Sequence, residues 1–362
     1  MFVDDIREAA SGLTPEELRE AIDALQAMVV RALVGPDDEP AVCPRCGCDR
    51  FVRDGFDKKY SCGRVVEKLQ RYECRGCGRT FTRRTDSLLS LSKLDVGAWT
   101  KFVELECRQA PLKECKEKLQ VTAPTVHYMR MRMCDVMGRM TPAVSCWEGE
   151  SLQVDGTYLN ESLKGRGRRG AEMPREAHES GHGVRSRGIS DEKVCVLVGV
   201  DGQGRQFAEV CDRGRPTDER VRECLEGKVG PGCAVSTDDH KAYARVLPQL
   251  GVTNHLVFPS DGSNGNGLYA VNAAHSRLKD FLRGFNGVST KYLGLYCKWH
   301  CFLEFVRKAG RDLPAALQDL VARGRYDIRR DSLYGGEPPF WDHWEGKLPQ
   351  IDAVSIWGEE AM

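Results

Sequence analysis

No apolar stretch in this 362-residue chain is long enough to cross a bilayer. The first residues also lack the basic-then-apolar order of an export signal. Net charge is missing as well, with 53 Lys and Arg against 53 Asp and Glu, so bulk charge alone argues for no partner. The glycine-rich stretch 260–267 (SDGSNGNG) lacks the spacing and the lysine of a phosphate-cradling loop. No pattern supports a small-molecule enzyme. What remains is a chain of two or three domains, 41% hydrophobic and able to bury a sizeable core. Its sixteen cysteines do not have the spacing of a small secreted scaffold. They point to a reducing, cytoplasmic setting, with some thiols on metal and the rest in the core.

The neutral total hides an uneven distribution. Residues 1–40 carry ten acidic and three basic side chains, whereas residues 41–90 carry twelve basic and six acidic ones. A basic module of this kind suits nucleic acid. Five segments are expected: a helical segment at 1–40, a zinc ribbon at 41–90, a helix-turn-helix-like segment at 91–145, an α/β domain at 146–310 with a basic loop at 160–190, and an accessory tail at 311–362. The fold class is multidomain α+β.

The first helix is expected over 14–33. Thr14 is its N-cap, Pro15 takes the first position and Glu17 closes a capping box. Two Cys-x-x-Cys knuckles follow, Cys43/Cys46 and Cys74/Cys77, separated by a hairpin-like stretch. Four thiolates suit a tetrahedral structural Zn²⁺, and metal can supply the folding free energy of such a small module. Cys48 and Cys62 fall outside the paired spacing. Nine basic residues, from Lys58 to Arg84, surround the knuckles and suit phosphate contacts. Beyond them, 112–119, a three-residue turn and 124–137 outline a helix-turn-helix. There His127, Arg130 and Arg132 are the candidate DNA contacts.

The remaining chemistry sits on strand ends. The segment 151–159 (SLQVDGTYL) alternates as a strand and carries Asp155. The run 234–243 (AVSTDDHKAY) is a strand ending in Asp238, followed by a turn and a helix. The order strand, strand, strand, helix, strand, helix, strand, helix predicts an RNase H-like domain with a mixed sheet. In it Asp155 lies on the central strand with Asp238 beside it. Two carboxylates so placed are costly without cations, and Mg²⁺ or Mn²⁺ takes such hard oxygen ligands. Lys164 and Arg166 belong to the basic loop next to Asp155 and are expected at a phosphate backbone.

The CPRC and CRGC knuckles with GRTF, VDGTY at 154–158, TDDHKAY at 237–243 and VNAAHSRLKDFLRGFNGVSTKYL at 271–293 resemble bacterial insertion-sequence transposases. The group is that of the DDE superfamily with an N-terminal zinc ribbon. The resemblance covers roughly residues 40–305. It implies metal-dependent cleavage and transfer of DNA strands at terminal inverted repeats, with double-stranded DNA as partner and at least a dimer on it. The catalytic carboxylates would be Asp155 and Asp238. Members commonly carry Glu at the third position, whereas this chain has His275, 37 positions after Asp238. An imidazole nitrogen is more at home on Mn²⁺ than on Mg²⁺. Asn272 and Glu304 are alternative ligands, and Lys279 and Arg277 are expected near the phosphate at the cut.

Overall fold

The computed structural model describes residues 8–18, 21, 40–61, 64–90, 92–164, 192–259, 267–335 and 339–345. The chain groups into two compact units, Met1–Met140 with Gly310–Arg329 and Thr141–Ala309 with Arg330–Met362. The tail expected at 311–362 is therefore divided between them. At the start of the first unit the capping box forms. The Thr14 amide donates to Glu17 Oε2 at 2.8 Å and the Glu17 amide to Thr14 Oγ1 at 3.3 Å. Most of the helix expected over 14–33 lies outside the described residues.

The ribbon is a three-stranded antiparallel sheet of β1 (Phe51–Ser61), β2 (Arg64–Cys74) and β3 (Thr80–Phe81), in that order. Phe51, Tyr72 and Phe81 pack edge-on or stacked, with ring centroids 5.3–5.6 Å apart, under the knuckles. Each knuckle closes by the same turn. The Gly47 amide donates to the Cys43 carbonyl and the Gly78 amide to the Cys74 carbonyl, both at 2.9 Å. Both glycines have positive φ, 73° and 65°, which a side chain would resist.

The helices of the first unit are α1 (Val96–Cys107), α2 (Leu112–Leu119), α3 (Ala123–Met140) and α8 (Leu313–Arg323). Asp95 caps α1 by accepting the Ala98 amide at 2.9 Å. Gln120, left-handed at φ 53°, ends α2, so α2 and α3 do form two helices across a short turn. The first turn of α3 is exposed at Ala123 and Pro124, but the rest of the helix is largely buried. Residues 129–137 are all buried, and α8 packs on both α1 and α3.

Arg130 and Arg132 are accordingly not the DNA contacts that their charge suggested. Arg130 is 1% exposed and grips Glu106 with three hydrogen bonds of 2.7–3.1 Å, while also donating to the Ala110 carbonyl at 2.6 Å. Burial pushes the Glu106 carboxyl up, and Arg130 opposes that. Arg132 donates to the Leu88 and Ser90 carbonyls and sits among the rings of Trp99, Tyr128 and Tyr326. His127 is also largely removed from water, and burial lowers its pKa to about 4. Breaking one side of a buried pair strands the other charge, which costs about 3–5 kcal/mol. Arg130→Ala is therefore expected to lower unfolding stability by that amount in urea titrations. Glu106→Leu/Arg130→Met, which removes both charges, recovers most of it.

The second unit is built on a five-stranded sheet ordered β6-β5-β4-β7-β8. Its members are β4 (Ser151–Asn160), β5 (Lys193–Asp201), β6 (Gln206–Arg213), β7 (Ala234–Thr237) and β8 (Asn254–Val257). The first three form an antiparallel meander, and β7 and β8 extend it in parallel, the RNase H-like arrangement expected. β5 is apolar and buried at nearly every position, as a central strand covered on both faces must be. β4 alternates. Leu152 and Val154 join the core with Val221 and Leu225 of α4 (Asp218–Leu225) and with Tyr243, Val246 and Leu247 of α5 (Lys241–Gln249). The other face of the sheet takes α6 (Tyr269–Arg283), which packs on β4 and β5, while α7 (Thr290–Lys308) packs on β6.

Two short helices, α9 (Arg330–Gly335) and α10 (Asp342–Glu345), end the described residues. Trp344 of α10 donates to Glu161 Oε1 at 3.1 Å while Arg213 holds Glu161 Oε2 at 3.1 Å. This buried knot ties α10 to the sheet. The cysteine expectation needs one correction. Cys146 and Cys233 form a disulfide with Cα atoms 5.5 Å apart, because β4 and β7 run parallel and the segments entering them lie side by side.

Candidate active site

Cys43, Cys46, Cys74 and Cys77 bring their sulfurs within 4.8 Å of one another. The Cys43–Cys77 and Cys46–Cys74 sulfur separations are 3.9 and 3.6 Å. Thiolates about 2.3 Å from a shared tetrahedral Zn²⁺ would be about 3.8 Å apart. The donor set thus fits zinc without rearrangement. Backbone amides of Cys77 and Gly76 lower the Cys74 thiol to about 6, towards the thiolate form a metal requires. Cys48 stays outside the group and accepts the Arg50 amide at 3.4 Å.

In the second unit, β4 and β7 pair with Ser151 opposite Ala234, Leu152 opposite Val235 and Gln153 opposite Ser236. Continued two positions, this parallel register brings Asp155 abreast of Asp238. Both carboxylates line one cavity of about 810 Å³. Burial, and then the Asp238 charge, push Asp155 up to about 7, against the Gly156 amide and Lys279. Burial raises Asp238 as well, opposed by the His240 amide, which donates to Asp238 Oδ1 at 3.1 Å. Behind Asp238, the Thr237 hydroxyl donates to the Asp238 carbonyl at 2.7 Å and pairs with His255 Nε2 at 2.8 Å.

His275 approaches Asp155 from α6. Its Nε2 lies 3.3 Å from the Asp155 carbonyl oxygen and its Nδ1 lies 3.9 Å from Asp155 Oδ2. Burial lowers its pKa to about 4, so the ring is neutral near pH 7. A carbonyl only accepts, so the proton belongs on Nε2 and Nδ1 turns a lone pair towards the carboxylate. One cation with ligands about 2.1 Å away can bridge such a gap. The Asp155–His275 separation is within the reach of one divalent ion, and Asp238 lines the same cavity. The three together are looser than the cysteine set: the donor atoms of Asp155, Asp238 and His275 do not all lie within 4.8 Å of one another.

The other expected residues separate clearly. Lys279 is exposed one turn beyond His275 and acts electrostatically on Asp155. Arg277 is taken by Glu304, at 2.6 Å. Glu304 is held in turn by Arg307 at 2.7 Å, so neither is the free phosphate contact or metal ligand that the sequence suggested. Burial pushes the Glu304 carboxyl up, but its two arginines outweigh that and leave it below the ordinary range. Asn272 is exposed, and its backbone carbonyl accepts the Ser276 hydroxyl at 3.2 Å. Lys164 is exposed and donates to the Asn286 carbonyl at 2.6 Å. Arg166 and most of the basic loop lie outside the described residues.

One residue that sequence reasoning missed sets the height of α6. Gln153 Oε1 accepts the amides of Ala270 and Val271 at 2.9 and 3.2 Å. Leu268, at the N-cap position, makes no side-chain cap, so a strand residue does the capping from outside the helix. Its only sequence signal is parity: Gln153 shares the Asp155 face of β4. Gln153→Leu is expected to cost about 1 kcal/mol in thermal unfolding, as lost caps do. Hydrogen exchange at Ala270 and Val271 is expected to rise with it, because both amides lose their acceptor.

A pH effect follows from Asp155. The folded chain keeps this proton from the ordinary carboxylate range up to about 7. Without cations the group's contribution to stability therefore falls as pH rises through that window. Divalent-ion binding must displace the same proton. Mn²⁺ affinity measured by calorimetry is thus expected to tighten as pH rises towards about 7 and to level off above it, with Asp155→Asn removing the slope.

Residues 148–302 match the profile of the ISXO2-like transposase domain. The chain is 25% identical over 276 residues to a protein of Halobacterium salinarum described as an uncharacterized protein in transposable element ISH50, covering 75% of this chain and 87% of that one. Similar solved structures include the catalytic core domain of BIV integrase, 15% identical, with 54% of this chain and 95% of that one covered and a TM-score of 0.21. A pre-cleavage Mos1 transpososome is 12% identical, with 63% and 79% covered and a TM-score of 0.18. The strand order and the paired aspartates stand independently of those two. Taken with the profile match, they make residues 148–302 similar to the ISXO2-like transposase domain.

Proposed function

We propose that the chain is the transposase of an insertion sequence, binding terminal inverted repeats and carrying out metal-dependent DNA cleavage and strand transfer. The observation that carries this reading is the β4–β7 register, which brings Asp155 and Asp238 together at one cavity. The relative's place in a transposable element agrees with it. Asp155, Asp238 and His275 would hold Mg²⁺ or Mn²⁺, which when bound activates water or a 3′-hydroxyl and stabilises the leaving oxygen of a phosphodiester. The chain's own part is positional. Thr237 and the His240 amide hold Asp238, Gln153 sets α6, and Lys279 presents a charge to a phosphate beside Asp155.

The ribbon supports a DNA partner. Lys58 and Lys68 face each other across β1 and β2, both exposed, and Phe56 beside them is 56% exposed. Opposed like charges destabilise a hairpin unless an anion lies between them. Processing two ends calls for at least two copies on DNA.

A second reading is a DNA-binding protein whose nuclease-like domain is inactive. The looseness of the Asp155–Asp238–His275 set favours it. The deciding experiment incubates the full chain with a duplex carrying the element's terminus, alone and as a paired-end complex, with Mg²⁺ or Mn²⁺. Cleavage followed by joining to a target supports the transposase. Cleavage without joining makes the chain a nuclease, and binding without cleavage under either ion makes it a binding protein. Cutting that survives in His275→Ala would take His275 out of the ligand set.

A further inference from the structure

The cavity that holds the paired aspartates has a second wall. It is formed where β6 passes into α4 and where β7 passes into α5, and it presents Arg215, Thr217, His240 and Lys241. Arg215 is exposed yet rigidly mounted. Gly214 before it is left-handed, at φ 71°. Pro216 after it is buried, and proline restricts the residue that precedes it. The Thr217 amide is tied to Asp212 Oδ2 at 2.9 Å. Chain entropy has thus been given up to present a long cationic side chain to an open space. Of the cavity's three long cations, Arg245 is neutralised by Asp218 at 2.7 Å. Arg215 and Lys241 enter no ion pair among the described residues. The same wall receives the N-terminal ends of α4 and α5, capped by Thr217 and His240, whose dipoles add positive potential.

Five carboxylates line the cavity, Asp218 paired with Arg245 and Asp155, Glu219, Asp238 and Asp239 beside it. With Asp155 and Asp238 on metal, Arg215 and Lys241, in no ion pair among the described residues, would take an anion adjacent to the metal-bound one. A nucleic-acid strand supplies that pattern, one phosphate at the aspartates and the next at the cations. Lys279 stands on the α6 side of β4, so the cavity wall would hold the strand from the opposite side of the sheet.

We propose that Arg215 and Lys241 bind a backbone phosphate of the DNA strand adjacent to the phosphate that is cut. This rests on the transposase reading and adds to it the place where the flanking nucleotide is held. Arg215 and Lys241 are positioning residues.

The test uses the full zinc-loaded chain, Mn²⁺ and terminus duplexes in which single phosphates near the cut are replaced by neutral methylphosphonates. On unmodified DNA, Arg215→Ala is expected to cut roughly ten- to a hundredfold more slowly, the scale of one charge-assisted contact, with an unchanged melting temperature. At one linkage beside the cut, wild type loses a similar factor while Arg215→Ala loses nothing further. Arg215→Lys restores part of the rate, and Lys241→Ala repeats the pattern at the same or the neighbouring linkage. Losses that simply multiply at every linkage, or wild-type cutting by both alanine variants, overturn the proposal and leave the transposase reading intact. A wild-type chain that cuts no terminus removes both.

Discussion

On the transposase reading, Asp155→Asn and Asp238→Asn chains are expected still to bind a duplex carrying the element's terminus, but to cut it about a thousandfold more slowly than wild type or worse. Metal-assisted stabilisation of a phosphodiester transition state is worth several kcal/mol, and each 1.36 kcal/mol is a factor of ten. An amide keeps the shape of the carboxylate but not the charge that holds a divalent ion. The same substitution has a second signature of opposite sign. Burial and the neighbouring Asp238 charge raise the Asp155 pKa to about 7, so above neutral pH the metal-free chain holds two half-buried carboxylates against each other. Asparagine removes that repulsion. The metal-free Asp155→Asn chain is therefore expected to melt no lower than wild type at about pH 8, and higher if the repulsion is unrelieved. Lost cleavage together with retained or increased stability separates a functional carboxylate from a structural one. Lost cleavage with lost stability would count against the assignment. Gel-shift, strand-cleavage and calorimetric melting experiments on one set of preparations decide it.

Cys74→Ser, or exhaustive chelation, is expected to unfold the ribbon while leaving the second unit folded. Structural zinc in small modules contributes on the order of 10–16 kcal/mol at neutral pH. That exceeds what the ribbon's small core of Cys43, Tyr72, Cys74 and Phe81 with Phe51 can supply alone. Wild type should contain one zinc per chain by atomic emission, and Cys74→Ser none. Hydrogen exchange should then rise across β1 and β2 and stay protected across β4 and β5. On the transposase reading, affinity for the terminus is expected to fall as well, since Lys58 and Lys68 are opposed only while the hairpin is paired. Cys48→Ser is the control: it lies beside the knuckles but outside the four-sulfur group and should keep full zinc content. A Cys74→Ser chain that retains zinc and a protected hairpin would remove the ribbon's metal from the account.

The sequence by itself determined everything that depends on local spacing. Cys-x-x-Cys pairs reach one ion because three residues of turn bring two sulfurs together, and no distant residue can alter that. The alternation of β4, the unbroken apolar run of β5 and the helices after each parallel strand sufficed for the RNase H-like order. Local pattern alone put Asp155 on β4 and Asp238 at the end of β7, where the structure has them. What the tertiary structure alone decided was the partner of each long side chain. Arg130 and Arg132 look like DNA contacts in a linear reading, but Glu106, 24 residues before Arg130, and the Leu88 carbonyl claim them. An acid at helical spacing with Phe102 and Val103 on α1 was the one hint that a buried cation would be needed. Arg277 and Glu304 neutralise each other for the same reason, since their helices are joined only in the fold. Gln153 carried only its parity with Asp155, and Arg215 no sequence signal at all. One acts across 117 residues and the other across a cavity. Charge and hydrogen-bonding capacity are written in the residue, but whether they face solvent, a partner or a site is set by which elements pack against it.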